Sequence, residues 1–239
     1  MPKFFIEANQ MQENKITLSN SDMHHIKNVM RMKENDKVEV VYDKKTYLCN
    51  LDNNLELHID TVINEDKELP KEIIAIIGLV KEQKMDLVLQ KLTELGVSKI
   101  IPVNMERSIV KLDTKKEDKK LIRWNTICKE ASEQSHRTNI PLIKGLYKLK
   151  DLENEEGLKI VCSTKLAKSF KNTLKNDFNC GKINIVVGPE GGLDPKEEEK
   201  LVSFGYLRTS LGPTILRAET APLCVLSYIN YEFMEWKNG

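Results

Sequence analysis

Ile183-Asn184-Ile185-Val186-Val187-Gly188-Pro189-Glu190-Gly191-Gly192-Leu193-Asp194-Pro195 is the stretch that decides the fold. It begins with residues 183–187, which show almost no polar alternation, and passes through a Gly/Pro turn into a helix start. Asp194 is placed as N-cap, Pro195 as the first helical residue and Glu197 as the third, reaching back to the cap. A strand wetted on one face alternates; an unbroken apolar strand is covered on both faces. That is the mark of a parallel sheet sandwiched by helices. Residues 73–80, 99–103 and 158–162 read the same way. Between them, Met85, Val88, Leu89, Leu92 and Leu95 recur at helical spacing, with Gly96 as the stop. The fold class from residue 71 onward is therefore α/β.

Ahead of this lies a different pattern. Residues 3–7, 37–42, 46–51 and 55–63 alternate as half-buried strands do, and Asp43-Lys44-Lys45 and Asp52-Asn53-Asn54 supply the turns. One helix is expected over residues 22–32, capped by Ser21 or Asp22. A small β-barrel domain over residues 1–70 is the economical reading, with Pro70 at the boundary to a second domain over residues 71–239.

Composition bounds the function. The 239 residues carry 37 Lys+Arg against 36 Asp+Glu, a formal net charge of +1, with 40% hydrophobic and 31% charged residues. That suits a globular, soluble protein and argues against a nucleic-acid partner on average charge alone. The average conceals a division. Residues 1–70 hold about 9 basic and about 13 acidic side chains, whereas residues 78–150 hold about 16 and about 9. Cys49, Cys128, Cys162, Cys180 and Cys224 are widely spaced with no C-x-x-C, so free thiols in a reducing cytoplasm are expected, without disulfides or zinc. The polar N-terminus and the shortness of the longest apolar run predict no signal peptide and no membrane span. No ligand spacing for a metal occurs.

Three loops hold residues that suit chemistry. In the turn at 188–192, glycines let main chain approach a ligand, and amides beside a helix start suit an anion or a purine edge. It is neither a Walker loop nor a dinucleotide fingerprint. A plain strand–turn–helix connection explains the glycines equally well but leaves Glu190 unaccounted for. A second loop, Ser210 to Pro222, follows a strand-like stretch and leads into a last helix ending near Trp236, with Thr220 as cap. Its plain reading is a capped loop with an Arg217–Glu219 ion pair. The third segment, Ala131-Ser132-Glu133-Gln134-Ser135-His136-Arg137, closes a helix, and Arg107-Ser108 stands in another loop. Arg with Gln suits phosphate and base-edge contacts, and an ordinary polar surface explains them as well.

Taken in order, five blocks, the first of them in two parts, resemble a known family. They are Lys81-x-x-Lys84-Met85-Asp86, Gln90-Lys91-x-Thr93-Glu94-Leu95-Gly96-Val97, Glu106-Arg107-Ser108, Glu130-Ala131-x-Glu133-Gln134-Ser135-x-Arg137, Gly188-Pro189-Glu190-Gly191-Gly192 and Leu211-Gly212-x-x-Ile215-Leu216-Arg217-x-Glu219-Thr220-Ala221. Over nearly the whole chain this is similar to the RsmE family, bacterial 16S rRNA uridine-N3 methyltransferases of the SPOUT class, whose target is U1498. The resemblance implies a PUA-like barrel followed by a trefoil-knotted α/β domain, a homodimer with its substrate site at the subunit interface, and S-adenosylmethionine as cofactor. It implies that Cys162, Thr164 and Leu166, then Val187, Gly188, Pro189, Glu190, Gly191 and Gly192, then Leu211, Gly212, Ile215, Leu216, Ala218 and Thr220 hold that cofactor. RNA contacts fall to Lys3, His25, Arg31, Lys84, Arg107, Gln134 and His136. Two departures stand out: Lys3 replaces a family arginine, losing the bidentate fork, and Asn35-Asp36 replaces a Gly-Asp turn that Asn still suits.

The implied chemistry needs no metal. Uridine N3 attacks poorly while protonated, so a cation beside the pyrimidine oxygens and a proton acceptor are required. Arg217, Arg137 and Arg107 are the candidate cations; Glu190, Glu133 and His136 are the candidate acceptors. The alternatives are a SPOUT methyltransferase acting on another RNA base and a catalytically silent RNA-binding or ribosome-assembly factor.

Overall fold

The computed structural model describes residues 1–64, 67–112, 114–165, 167–176 and 180–233. Contacts divide the chain into two units. The first is Met1–Glu68 with Ser132–Asn139, and the second is Leu69–Ala131 with Ile140–Gly239.

In the first unit, β1 (Lys3–Phe5), β2 (Met11–Gln12), β3 (Lys15–Ile16), β4 (Lys37–Tyr42), β5 (Lys45–Leu51) and β6 (Leu57–Ile63) form one sheet in the order β1-β4-β5-β6-β3-β2. Only β1 pairs parallel, with β4; the others run antiparallel, and a bulge lies between Leu48 and Cys49. Inward positions of β4 and β5 (Val38, Val40, Cys49 and Leu51) bury against Phe4, Ile16, Ile26 and Leu57. The β4–β5 turn is the two-residue kind, with Asp43 and Lys44 both at positive φ (47° and 61°). Asn35 takes φ 68°, so asparagine serves there as the sequence reading expected.

The expected helix over 22–32 is corrected. A short α1 (Asn20–His24) is capped by the Ser19 hydroxyl, which accepts from the Asp22 amide at 3.2 Å, not by Ser21 or Asp22. Leu18, buried in the core, sets the entry point one turn earlier than the polar pattern suggests. The helix then widens into a π-helical stretch, His25–Met30, ended by Arg31 in the left-handed region (φ 54°).

The second unit is built on β7 (Glu72–Gly78), β8 (Lys99–Val103), β9 (Leu158–Cys162), β10 (Lys168–Ser169), β11 (Lys182–Val187) and β12 (Leu207–Ser210), in the order β10-β12-β9-β11-β7-β8. Every pairing is parallel. Helices α2 (Glu82–Glu94), α3 (Thr114–Gln134), α4 (Phe170–Asn176), α5 (Pro195–Ser203) and α6 (Thr220–Phe233) complete the set. The apolar runs are explained residue by residue. Along β7, Ile73, Ala75 and Ile77 enter one core with Val88, Leu92 and Val225, while Ile74 and Ile76 enter a second core with Leu201 and Tyr206. Each such side chain contributes roughly 1.5–3 kcal/mol on full burial. Gly96 ends α2 at φ 88°, a region where a Cβ is strained. Among the described residues, no helix is long and apolar enough to cross a membrane.

Candidate functional site

Parallel strands present ligands at their carboxyl ends. Here β12, β9 and β11 are consecutive neighbours, and the loops following them, residues 210–218, 162–165 and 187–193, wall a cavity of about 560 Å³. Cys162, Thr164, Val187, Gly188, Pro189, Glu190, Gly191, Gly192, Leu211, Gly212, Ile215, Leu216, Arg217 and Ala218 all line it. Thr220 does not; it opens α6, its amide donating to the Arg217 carbonyl at 2.9 Å. Leu166 lies outside the described residues.

The glycine loop is held by its own turn and by distant side chains. Gly192 sits at φ 73° and donates to the Pro189 carbonyl at 2.9 Å. Asp194 caps α5 as expected, accepting from the Lys196 amide at 2.9 Å. Glu197 does not reach back to the cap, however: its carboxylate takes the Glu106 amide at 2.9 Å, tying the 105–108 loop to α5. Arg107 lies on Gly191, donating to its carbonyl (3.5 Å) and pairing with Asp194 (3.4 Å). A Cβ on Gly191 would stand 3.0 Å from the Arg107 Cβ and carbonyl, so glycine there makes room for that side chain.

The loop after β9 is fastened by a residue that sequence reasoning missed. Glu198, only 5% exposed in its side chain, accepts from Ser163 (2.7 Å) and Arg208 (3.0 Å) and pairs with Lys165 (3.0 Å). Burial pushes the Glu198 carboxyl up, but hydrogen bonds from Ser163, Lys165 and Arg208 outweigh it and hold the carboxyl below its usual range. In sequence Glu198 sits in a run of acids at a helix start, indistinguishable from a solvated turn. Cys162, by contrast, is shifted toward its neutral form. Burial, then the neighbouring Cys224, push its thiol up to about 12.

The expected Arg217–Glu219 pairing is corrected. Glu219 pairs with Lys84, delivered by α2, at 3.1 Å, and Lys84 also stands 3.5 Å from Glu190. Adjacency in sequence suggested the wrong cation, because the α6 start turns Glu219 toward α2. The Arg217 side chain is left exposed, its guanidinium making no hydrogen bond or close ion pair among the described residues. The Glu190 carboxylate also accepts from the Lys81 amide at 3.3 Å.

The remaining sites expected from sequence belong to the first unit. Lys3, expected as an RNA contact, is buried in this unit. Its ammonium pairs with Glu39 at 3.1 Å, with a side chain 1% exposed, and donates to the His136 carbonyl at 3.2 Å. His136, at φ 57°, places Nδ1 3.2 Å from the same Glu39. The Glu133 carboxylate accepts from the Phe5 amide at 3.2 Å. Arg137 is buried and forked onto Glu68, which also accepts from the Thr138 amide. His25, Arg31 and Gln134 are exposed, and the His25 ring meets Phe4 edge-on.

With this geometry in hand, comparisons place the chain. A family model for an RNA methyltransferase domain matches residues 67–230, and one for an RNA methyltransferase PUA domain matches residues 18–54. Ribosomal RNA small subunit methyltransferase E of Bacillus subtilis (strain 168) is 35% identical, covering 97% of both chains. Its counterpart from Buchnera aphidicola subsp. Schizaphis graminum is 34% identical, covering 97% of this chain and 94% of that one. The crystal structure of ribosomal RNA small subunit methyltransferase E from Neisseria gonorrhoeae bound to S-adenosyl methionine superposes with a TM-score of 0.88 at 30% identity, covering 98% of each chain. A parallel α/β unit with three loops around one cavity, a matching domain model over most of the chain and relatives aligned end to end lead to one conclusion: this chain belongs to the ribosomal RNA small subunit methyltransferase E family.

Proposed function

We propose that this chain methylates N3 of a uridine in small-subunit ribosomal RNA, U1498 by the family resemblance, using S-adenosylmethionine held in the cavity of the second unit. The observation that carries the reading is the cavity itself. At about 560 Å³ it lies within the range of small-molecule sites, and its walls join the glycine turn at 188–192 to Leu211, Ile215 and Leu216, which suit an apolar ring. The cofactor supplies an activated methyl group on a sulfonium. Everything else falls to the chain: orienting the base, excluding water, and stabilising the charge that develops as N3 loses its proton.

Arg217 is the cation for that charge. Arg107 is engaged by Asp194 and Gly191, and Arg137 is engaged by Glu68, whereas the Arg217 guanidinium makes no hydrogen bond or close ion pair among the described residues and borders the cavity. The exposed His25, Arg31 and Gln134 of the first unit grip RNA in this reading. A trefoil-knotted backbone, a homodimer completing the substrate site and a cytoplasmic location complete the proposal, on the strength of the family resemblance.

Mass mapping of 16S rRNA from a strain lacking the gene tests it: one uridine in the small-subunit RNA should lose a methyl group, and an unchanged map overturns the assignment. Arg217→Ala should slow methyl transfer by roughly 10²–10³-fold, as loss of one charge-stabilising donor does, while cofactor binding by calorimetry and the melting temperature hold.

A further inference from the structure

Lys84 looks like a surface cation in sequence: it lies on the polar side of α2, opposite the Met85, Val88, Leu89 and Leu92 stripe. Its ammonium has a different use. It stands 3.1 Å from Glu219, at the end of the loop after β12, and 3.5 Å from Glu190, in the loop after β11. Both carboxylates are only 15% exposed; Lys84 meets Oε2 of Glu219 and Oε1 of Glu190, and the other Glu190 oxygen, Oε2, is buried and accepts no hydrogen bond. One cation thus serves two partly buried anions from separate loops, and among the described residues no other side chain pairs with Glu190. Without it the two carboxylates repel in a region of low dielectric, and the loops carrying them move apart.

The geometry points to Lys84 as a positioning residue: it ties the loop after β11 to the loop after β12 and so sets the width of the methyl-donor cavity before the donor arrives. This rests on the reading of that cavity as the cofactor site. In this role Lys84 acts through Glu190 and Glu219, in place of the RNA contact that the resemblance implies for it. The Glu219 carboxyl is accordingly held below its usual range, first by its own backbone N–H and then, against burial, by Lys84.

The test is calorimetry of the full-length protein with S-adenosylmethionine, well below the melting transition, beside filter binding of a 16S rRNA fragment. Lys84→Met should weaken cofactor binding about tenfold or more, the scale of coupling between contacting charges, with RNA affinity unchanged. Adding Glu219→Gln to Lys84→Met removes the repulsion and should recover part of the loss. Lys84→Met that lowers the melting temperature but leaves cofactor affinity intact overturns the inference, as does a loss confined to RNA binding. Failure of the double variant to recover affinity overturns it too. Absence of cofactor binding by the unaltered protein overturns the proposed function and this inference together, whereas equal binding by the unaltered protein and Lys84→Met overturns this inference alone.

Discussion

Gly78→Ala is the substitution on which the structure makes its sharpest demand. Gly78 ends β7, and a methyl group there would stand 2.7 Å from both Cδ and N of Pro189 and 2.9 Å from Met105 Sδ. Ordinary contact begins at 3.4 Å, so something must yield by about 0.7 Å. The Met105 sulfur can swing aside. The Pro189 ring and its backbone nitrogen cannot, because they are part of the loop that walls the cavity. The backbone angles at Gly78 are ones any residue adopts, so the effect is purely steric. Overpacking of this kind costs about 1–3 kcal/mol, which lowers the melting temperature by roughly 2–4 °C per kcal/mol for a chain of this size. A shift of the cavity wall by a sizeable fraction of an ångström slows methyl transfer on the order of 10–100-fold. Gly181→Ala is the matched control: nothing lies within 4 Å of its Cβ position and its φ is unexceptional. It should change stability by less than about 1 kcal/mol, in the favourable direction. Thermal unfolding and initial rates on rRNA decide the matter. A Gly78→Ala protein with the melting temperature and rate of Gly181→Ala would refute the close-packing argument.

Two further outcomes concern charge. Glu68→Gln removes the carboxylate onto which the buried Arg137 guanidinium is forked and should destabilise the first unit by about 3 kcal/mol, read as a fall in urea midpoint. Glu198 titrates below its usual value in the folded chain, so its contribution is present above the carboxyl's ordinary 4.5 and is lost as pH falls through the depressed value. Urea midpoints should therefore drop from pH 5 toward pH 3, and Glu198→Gln should flatten that decline; an equal decline in both proteins removes Glu198 as its source.

What the sequence revealed follows from how local each signal is. The strand runs at 73–78 and 183–187 and the Asp194 cap are written in neighbouring residues, and they fold as read. The three segments that the resemblance implied for the cofactor line one cavity, Thr220 excepted, with Leu166 outside the described residues. Side-chain partners were another matter. Glu197 looked like a capping-box residue because nothing nearby competes, yet Glu106 lies 91 positions away in sequence and takes it. Arg217 looked paired with Glu219 for the same reason, until α2 brought Lys84 across. The basic stretch over 78–150 suffered likewise. Lys99 pairs with Glu155 at 3.3 Å, Lys84 with Glu219 at 3.1 Å and Arg107 with Asp194 at 3.4 Å, all acids outside the stretch. Part of its excess charge is compensated by acids whose proximity only the fold creates.

Cys162 gives the cavity one more property. A thiolate beside a methyl sulfonium would be alkylated by it, forming a thioether and ending the enzyme's working life. With its thiol pushed up to about 12, this sulfur keeps its proton at any physiological pH. A pocket built to bring a strong alkylating agent to RNA thereby keeps that agent from its own wall.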